Sequence, residues 1–311
     1  MRVYQVTTIV MEHTHSACLK IVAAREGASI LILGDTMKVT KAVITAAAKS
    51  QHHLPLQILI DRDGAQKAAL QIIVEEALAA GAHDIAIIIQ PGDADAYSKA
   101  AGPHARHLHF IEQSDPRGYG DAILRAKDFT HNEPFLHLVG DHLYLSLSDR
   151  ACAQQVVQMA EAENCAVSAV QATRESQLPN YGAIGGRRTH DGNQLYQIER
   201  VLEKPTPTEA EQSLIVPGLR AGYYLCFFGI HVLTPQVMAL LASIHSSSKV
   251  ELSSALNELA QRERYLALAL DGQRYDIGVR YGVWMAQLAL ALAGKDRADV
   301  LANMVEVLST R

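Results

Sequence analysis

The strongest constraint on the fold comes from residues 41–89, where a helix-period segment lies between two buried-type strand signals. "QKAALQIIVEEALAAG" (66–81) puts Leu70, Ile73, Val74, Ala77 and Leu78 on one stripe and ends at Gly81, which predicts a helix over this stretch. "KAVIT" (41–45) and "IAIII" (85–89) flank it as short apolar runs. Strand, helix, strand in that order is a βαβ unit with a parallel sheet. "LQILID" (56–61) adds an extended piece within the crossover.

The alternation continues. "LHF" (108–110), a helix from about Tyr119 to Phe129, a strand at 134–141, a helix at 149–163 and a strand at 165–172 follow in turn. Strand-like runs at 181–186, 196–204 and 222–233 have little helical material between them, so an antiparallel part is expected there. Thr234-Pro235 opens a helix over "QVMALLAS", and amphipathic segments at 250–263 and about 280–308 close the chain. The first strand of the α/β domain starts naturally near Met37, so 1–38 is read as an N-terminal extension, an appendage or an upstream start, and 39–311 as the domain.

With 311 residues at 49% hydrophobic content the chain can bury a large core. No apolar run reaches the roughly 18 to 20 residues that span a bilayer, and the N-terminus lacks the layout of a signal peptide. A cytoplasmic protein with no membrane partner is expected. The net charge of -5 argues against general nucleic-acid binding, so any anionic ligand must meet locally placed cations. Cys18, Cys152, Cys165 and Cys226 show no CxxC pairing and read as buried free thiols. His104, His107 and His109, and the pair His13 and His15, lack partner Cys or acid clusters and read as surface or packing residues.

Several short segments have residue types that suit chemistry. In "IEQSDPRGYGDAIL" (111–124), Gln113 offers a donor and an acceptor for a pyrimidine edge, and Gly118 and Gly120 let backbone approach a ligand. Taken alone, these residues read first as a polar turn with an ordinary glycine-rich helix start. Asp141 in "LHLVGDHLYLS" stands at a strand's carboxyl end, where open α/β sheets bind ligands and a carboxylate suits Mg2+; a turn-capping role is the alternative. Asp276 in "RYDIGVRYG" is a second acid that the fold could bring beside it. Glu203 and Lys204 end a strand; since neighbours on a strand point to opposite faces, the pair meets one ligand only if the strand end twists or bulges. Tyr181-Gly182 would let a sugar ring lie against backbone.

Taken in order, "KAVITAA", "LPLQ…D", "VEEALAAG", "EQSDPRGYGDAIL", "PFLHLVGDH", "NYGAIGG", "VLEKPTPTEA", "HVLTP" and "YDIGVRYG" resemble the bacterial UTP–glucose-1-phosphate uridylyltransferases of the sugar nucleotidyltransferase superfamily, over roughly 39 to 290. The resemblance implies a three-layer αβα, Rossmann-like domain with a mixed, mostly parallel central sheet. It implies UTP or another NTP and a sugar 1-phosphate as substrates, Mg2+ as cofactor, and a homo-oligomer. It would make Gln113 the base reader, Gly118 a base or ribose contact, and Asp141 and Asp276 the metal ligands. Tyr181 and Gly182 would form the sugar loop, Glu203 would hold sugar hydroxyls, and Lys204 would contact the sugar phosphate.

The departure lies in the loop after the first strand. The family has a glycine-rich segment with an arginine there, and a lysine further on. Here Ala46 and Ala47 hold the substrate-binding positions, Ala48, Lys49, Ser50, Gln51, His52 and His53 follow, and the lysine-bearing segment looks shortened. Lys49, His52 or His53 would have to replace the missing cation, and Lys49 is the one charged near neutral pH. Against an active transferase stands a non-catalytic sugar-nucleotide binder with a degraded loop. An oxidoreductase of the nicotinamide type is disfavoured because no GxGxxG follows the first strand.

Overall fold

The computed structural model describes residues 7–10, 20–23, 31–33, 36–189, 194–244 and 249–310. The chain divides into two compact units, Met1–Lys38 and Val39–Arg311. In the first, β1 (Thr7–Val10), β2 (Lys20–Ala23) and β3 (Leu31–Leu33) form an antiparallel sheet in that order. His13, His15 and Cys18 lie outside the described residues.

The second unit opens with β4 (Lys41–Thr45), passes through the strands β5 (Ile58–Ile60) and β6 (Gln66–Ala68) into α1 (Ala69–Ala79), and returns as β7 (Asp84–Ile89). Helix α2 (Ala94–Ala100) and β8 (Leu108–Glu112) make a further crossover. Short helices α3 (Tyr119–Leu124) and α4 (Lys127–Thr130) then lead to β9 (Phe135–Val139) and β10 (His142–Ser146). After α5 (Cys152–Glu163) come β11 (Ala166–Arg174), β12 (Gly182–Arg188), β13 (Leu195–Glu203), α6 (Pro207–Ser213) and β14 (Tyr223–Leu233). The chain finishes with α7 (Gln236–Ile244), α8 (Leu252–Arg262), β15 (Tyr265–Ala269), β16 (Gly272–Asp276), α9 (Gly282–Ala293) and α10 (Arg297–Ser309).

The βαβ expectation holds: β4 runs parallel to β7 on one side and to β9 on the other, and β7 carries β8. Ala42, Val43 and Ile44 of β4 and Ile85 to Ile89 of β7 are wholly buried, as continuous apolar runs in a covered parallel sheet should be. Leu70, Ile73, Val74 and Ala77 form the buried face of α1.

The nine-stranded sheet is mixed, but it is not mostly parallel. Four of its strand pairings are parallel and five antiparallel. Beyond β9 the strands pair mostly antiparallel, and β14, β12, β13, β15 and β11 pair around a closed ring, β11 meeting β14 again. Strand β14 joins the two halves: Tyr223 to Phe227 pair within the ring and Ile230 to Leu233 pair with β9. Between them Gly229 adopts φ +90, a conformation closed to most side chains, and the register of β14 on β11 slips at the same place.

Three boundaries differ from expectation. Gln66–Ala68 is strand, because the β5–β6 pairing captures it before the helical stripe begins. The 119–129 helix breaks into α3 and α4, since Ala126 bonds back three residues to Ile123 and tightens the turn. The C-terminal segment splits at Gly294 into α9 and α10. Cys152, Cys165 and Cys226 are buried and unpaired with one another, and burial pushes the Cys165 thiol up to about 11. No helix among the described residues is long and apolar enough to cross a membrane.

Candidate active site

The parallel half of the sheet delivers three chain segments to one end: Thr45–Lys49 after β4, Gln113–Gly118 after β8 and Val139–His142 after β9. These line a cavity of about 590 Å3 that is completed by Asn180–Gly182, Glu203–Lys204, residues of β14 and the start of α8. Ala46, Ala47, Lys49, Gln113, Gly118, Asp141, Tyr181, Gly182, Glu203 and Lys204 all line it.

Asp276 is brought to this end by strand register. β10 and β16 form a two-stranded antiparallel ribbon in which His142 stands opposite Asp276, and the Ile277 amide donates to the Asp141 carbonyl at 2.9 Å. Donor atoms of Asp141, His142 and Asp276 lie within 4.8 Å of one another. One oxygen of each carboxylate is already occupied: Asp141 Oδ1 by His142 Nδ1 at 2.8 Å and Asp276 Oδ1 by the Gly278 amide at 2.8 Å. The arrangement still presents carboxylate oxygens toward one point, a donor set that fits a divalent cation. Burial works to raise the Asp141 carboxyl, but the hydrogen bond and charge of His142 outweigh it and hold the group below its ordinary value.

Glu203 and Lys204 satisfy the condition that the strand pattern set for them. Lys204 turns into the left-handed region at φ +46 while its amide donates to the Tyr181 carbonyl at 3.2 Å. The strand thus ends in a twist that lets consecutive side chains share the cavity. Ser253, in the first turn of α8, donates its hydroxyl to Glu203 Oε2. Tyr181 is backed by the Arg274 guanidinium, 3.8 Å from its ring centre.

Gly118, also lining the cavity, has φ +121, and a side chain there would strike the Val250 carbonyl, so the turn before α3 requires glycine. Gln113 is 3% exposed and gives its Nε2 to Asp121 at 2.7 Å. Tyr119 bonds His137 Nε2 at 2.5 Å, and His137 Nδ1 donates to the Val43 carbonyl at 2.9 Å. His137 stacks on His231, ring centres 5.8 Å apart, and His231 Nδ1 meets Ser168 Oγ at 2.6 Å. Burial pushes His137 down to about 4 and His231 well below its ordinary value. These two histidines are therefore neutral near pH 7.

The altered loop behaves differently. Lys49 lines the cavity, but His52 and His53 do not; His52 Nδ1 pairs with Asp93 at 2.8 Å, and its carbonyl accepts from Tyr97 at 2.6 Å. The amides of Gln51 and His52 both return to the Ala48 carbonyl, and Gln90 Nε2 donates to that of Ala47. Lys67, the next lysine, is held by Asp61 at 2.7 Å, Asp63 at 3.1 Å and Glu75 at 2.8 Å. His104, His107 and His109 have separate partners in Glu75, the His83 carbonyl and Asp84.

Tyr119, Asp121, His137, His142, His231 and Ser253 were not legible as site residues. His142 had the only available signal, its place beside Asp141; the others are joined to the site by pairings across 8 to 94 positions of sequence.

Known proteins resemble this chain in sequence and in fold. A curated relative, the UTP–glucose-1-phosphate uridylyltransferase of Streptococcus pneumoniae serotype 4, is 29% identical over 298 residues, covering 86% of this chain and 95% of its own. UTP–glucose-1-phosphate uridylyltransferase 2 of Streptococcus pyogenes serotype M3 is 28% identical over 82% of this chain and 91% of its own. A solved UDP-glucose pyrophosphorylase in complex with UDP-glucose superimposes with a TM-score of 0.67 at 23% identity, over 81% of this chain and 98% of that one. The enzyme of the same name from Acinetobacter baumannii gives 0.69 at 20% identity, over 87% and 100%. These structures share the fold. The nucleotidyl transferase family model matches residues 63–291, and the chain belongs to that family.

Proposed function

We propose that this protein transfers a uridylyl group from UTP to glucose 1-phosphate, giving UDP-glucose and pyrophosphate, with Mg2+ as the ion held by Asp141 and Asp276. The observation that carries this reading is that Gln113, Gly118, Asp141, Tyr181, Gly182, Glu203 and Lys204 line one cavity, with Asp276 held beside Asp141 by the β10–β16 ribbon. The nearly full-length match to relatives named for this reaction supports it.

Gln113 and Gly118 take the uracil, Tyr181, Gly182 and Glu203 take the sugar, and Lys204 meets the sugar phosphate. A phosphate oxygen of the sugar attacks the α-phosphorus in line; that P–O bond forms as the α–β bridge breaks, and pyrophosphate leaves with the electron pair. Catalysis is positioning plus charge neutralisation, and the attacking phosphate, already ionised, needs no general base. Mg2+, when bound, supplies positive charge beside the phosphate oxygens. Ala46, Ala47 and Lys49 face the triphosphate, with Lys49 as its loop-borne cation. The three-layer αβα description, a cytoplasmic setting, an accessory N-terminal extension and a homo-oligomer belong to the same proposal.

The test is pyrophosphate release from purified protein with Mg2+, each NTP and a panel of sugar 1-phosphates. One observation favours a second reading, a sugar-nucleotide binder without turnover: the loop at 46–57 spends His52 on Asp93, and Lys67 is enclosed by carboxylates. Silence across the whole panel together with measurable UDP-glucose binding would establish that reading instead.

A further inference from the structure

The base wall rests on a carboxylate that does not line the cavity. Asp121, in the first turn of α3, is completely buried. Gln113 Nε2 donates to its Oδ2 at 2.7 Å, Arg117 Nη2 to its Oδ1 at 3.1 Å, and Arg125 Nε stands 3.6 Å from Oδ2. Arg117 precedes α3 and Arg125 caps its end, four residues to either side of Asp121, so the carboxylate is bracketed by two guanidinium groups.

A carboxylate between two guanidinium groups accepts hydrogen bonds and donates none. The end of the Gln113 amide that faces Asp121 is therefore its NH2 group, and the amide oxygen points away from it. Gln113 lines the cavity and Asp121 does not. The Gln113 amide N–H is itself bonded to the Ile89 carbonyl at 2.9 Å, so the residue is pinned at both backbone and side chain.

We infer that Asp121 sets the nucleobase preference of the site, acting as a positioning residue that fixes which end of the Gln113 amide faces the base. An acceptor there matches the N3–H of uracil or thymine and opposes the bare N3 lone pair of cytosine. With the amide reversed, the preference would reverse. The inference rests on the reading of Gln113 as the base contact.

The experiment compares kcat/KM for UTP and CTP, and equilibrium binding of UDP and CDP, in the wild type, Asp121→Asn and Gln113→Leu. Asparagine can offer either an acceptor or a donor to Gln113, so in Asp121→Asn the UTP-over-CTP ratio should fall roughly tenfold or more, with a raised KM for UTP and kcat largely kept. The UDP-over-CDP binding ratio should fall in parallel. A merely structural Asp121 would weaken both nucleotides together and leave both ratios unchanged, which would overturn the inference. Asp121→Ser, whose hydroxyl also works in either sense, replaces Asp121→Asn if the latter does not fold. Gln113→Leu separates the two levels: if it leaves the ratios intact, the reading of Gln113 is at fault; if it collapses them while the Asp121 variants do not, the role of Asp121 is. A wild-type preference for CDP over UDP would overturn the inference without any variant.

Discussion

The two walls of the cavity are built by different means. On the side proposed for the sugar and the metal, the positions of Glu203, Asp141 and Asp276 follow from strand register: β13 ends at Glu203, and the β10–β16 pairing sets His142 opposite Asp276. On the side proposed for the triphosphate, a loop after β4 carries the residues, and its side chains go wherever tertiary partners draw them, His52 to Asp93 rather than to the cavity. Register is fixed by a ladder of backbone bonds and survives changes of side chain; a loop has no such template.

The largest effect is expected from breaking the register-built wall. Asp141→Asn should lower Mg2+-dependent pyrophosphate release by roughly 1,000-fold with little change in the urea midpoint; a variant with full activity would refute the metal assignment. The buried histidine pair His137 and His231 is tested by acid. His137 has its ordinary value near 6.5 when unfolded and about 4 when folded, because burial penalises its charged form. The unfolded chain therefore binds more protons between those values, so this contribution is complete above pH 6.5 and is lost as pH falls toward 4, a change of about 3 kcal/mol. Urea midpoints measured across this range should decline, and the slope should be shallower in His137→Gln. His231 acts in the same sense.

A smaller effect should follow at the strand end. Lys204→Gly should cut kcat/KM for the sugar phosphate by about 100-fold while raising stability by about 1 kcal/mol, since glycine accepts the left-handed backbone without strain. Equal loss of activity and stability would mean that the lysine serves the fold. On the loop-built wall, Lys49→Ala should raise KM for UTP by roughly tenfold, and His52→Ala should change it by less than about threefold while loosening the contact with Asp93. A larger effect of His52 than of Lys49 would reverse the contrast between the two.

The helix α1, the strands β4 and β7 and the carboxyl-end placement of Asp141 were legible because periodicity and apolar runs report local burial. The closed ring of β11 to β15 was not, since antiparallel neighbours such as β11 and β14 are chosen by long-range packing that leaves no local period. The same distinction separates Gln113 from Asp121. A glutamine at the end of a strand announces itself, but the carboxylate that orients it was indistinguishable from any acid in a helix's first turn.

By itself the sequence determined the βαβ beginning, the mixed sheet and a set of candidate residues, because each depends on the order and spacing of side chains along one segment. Only the tertiary structure decided that Asp276 joins Asp141, that Lys204 turns back beside Glu203, that His52 turns away from the cavity and that Asp121 holds Gln113. Each of those depends on where two distant segments meet, and that is fixed by packing and register between elements and not by any property of either segment alone.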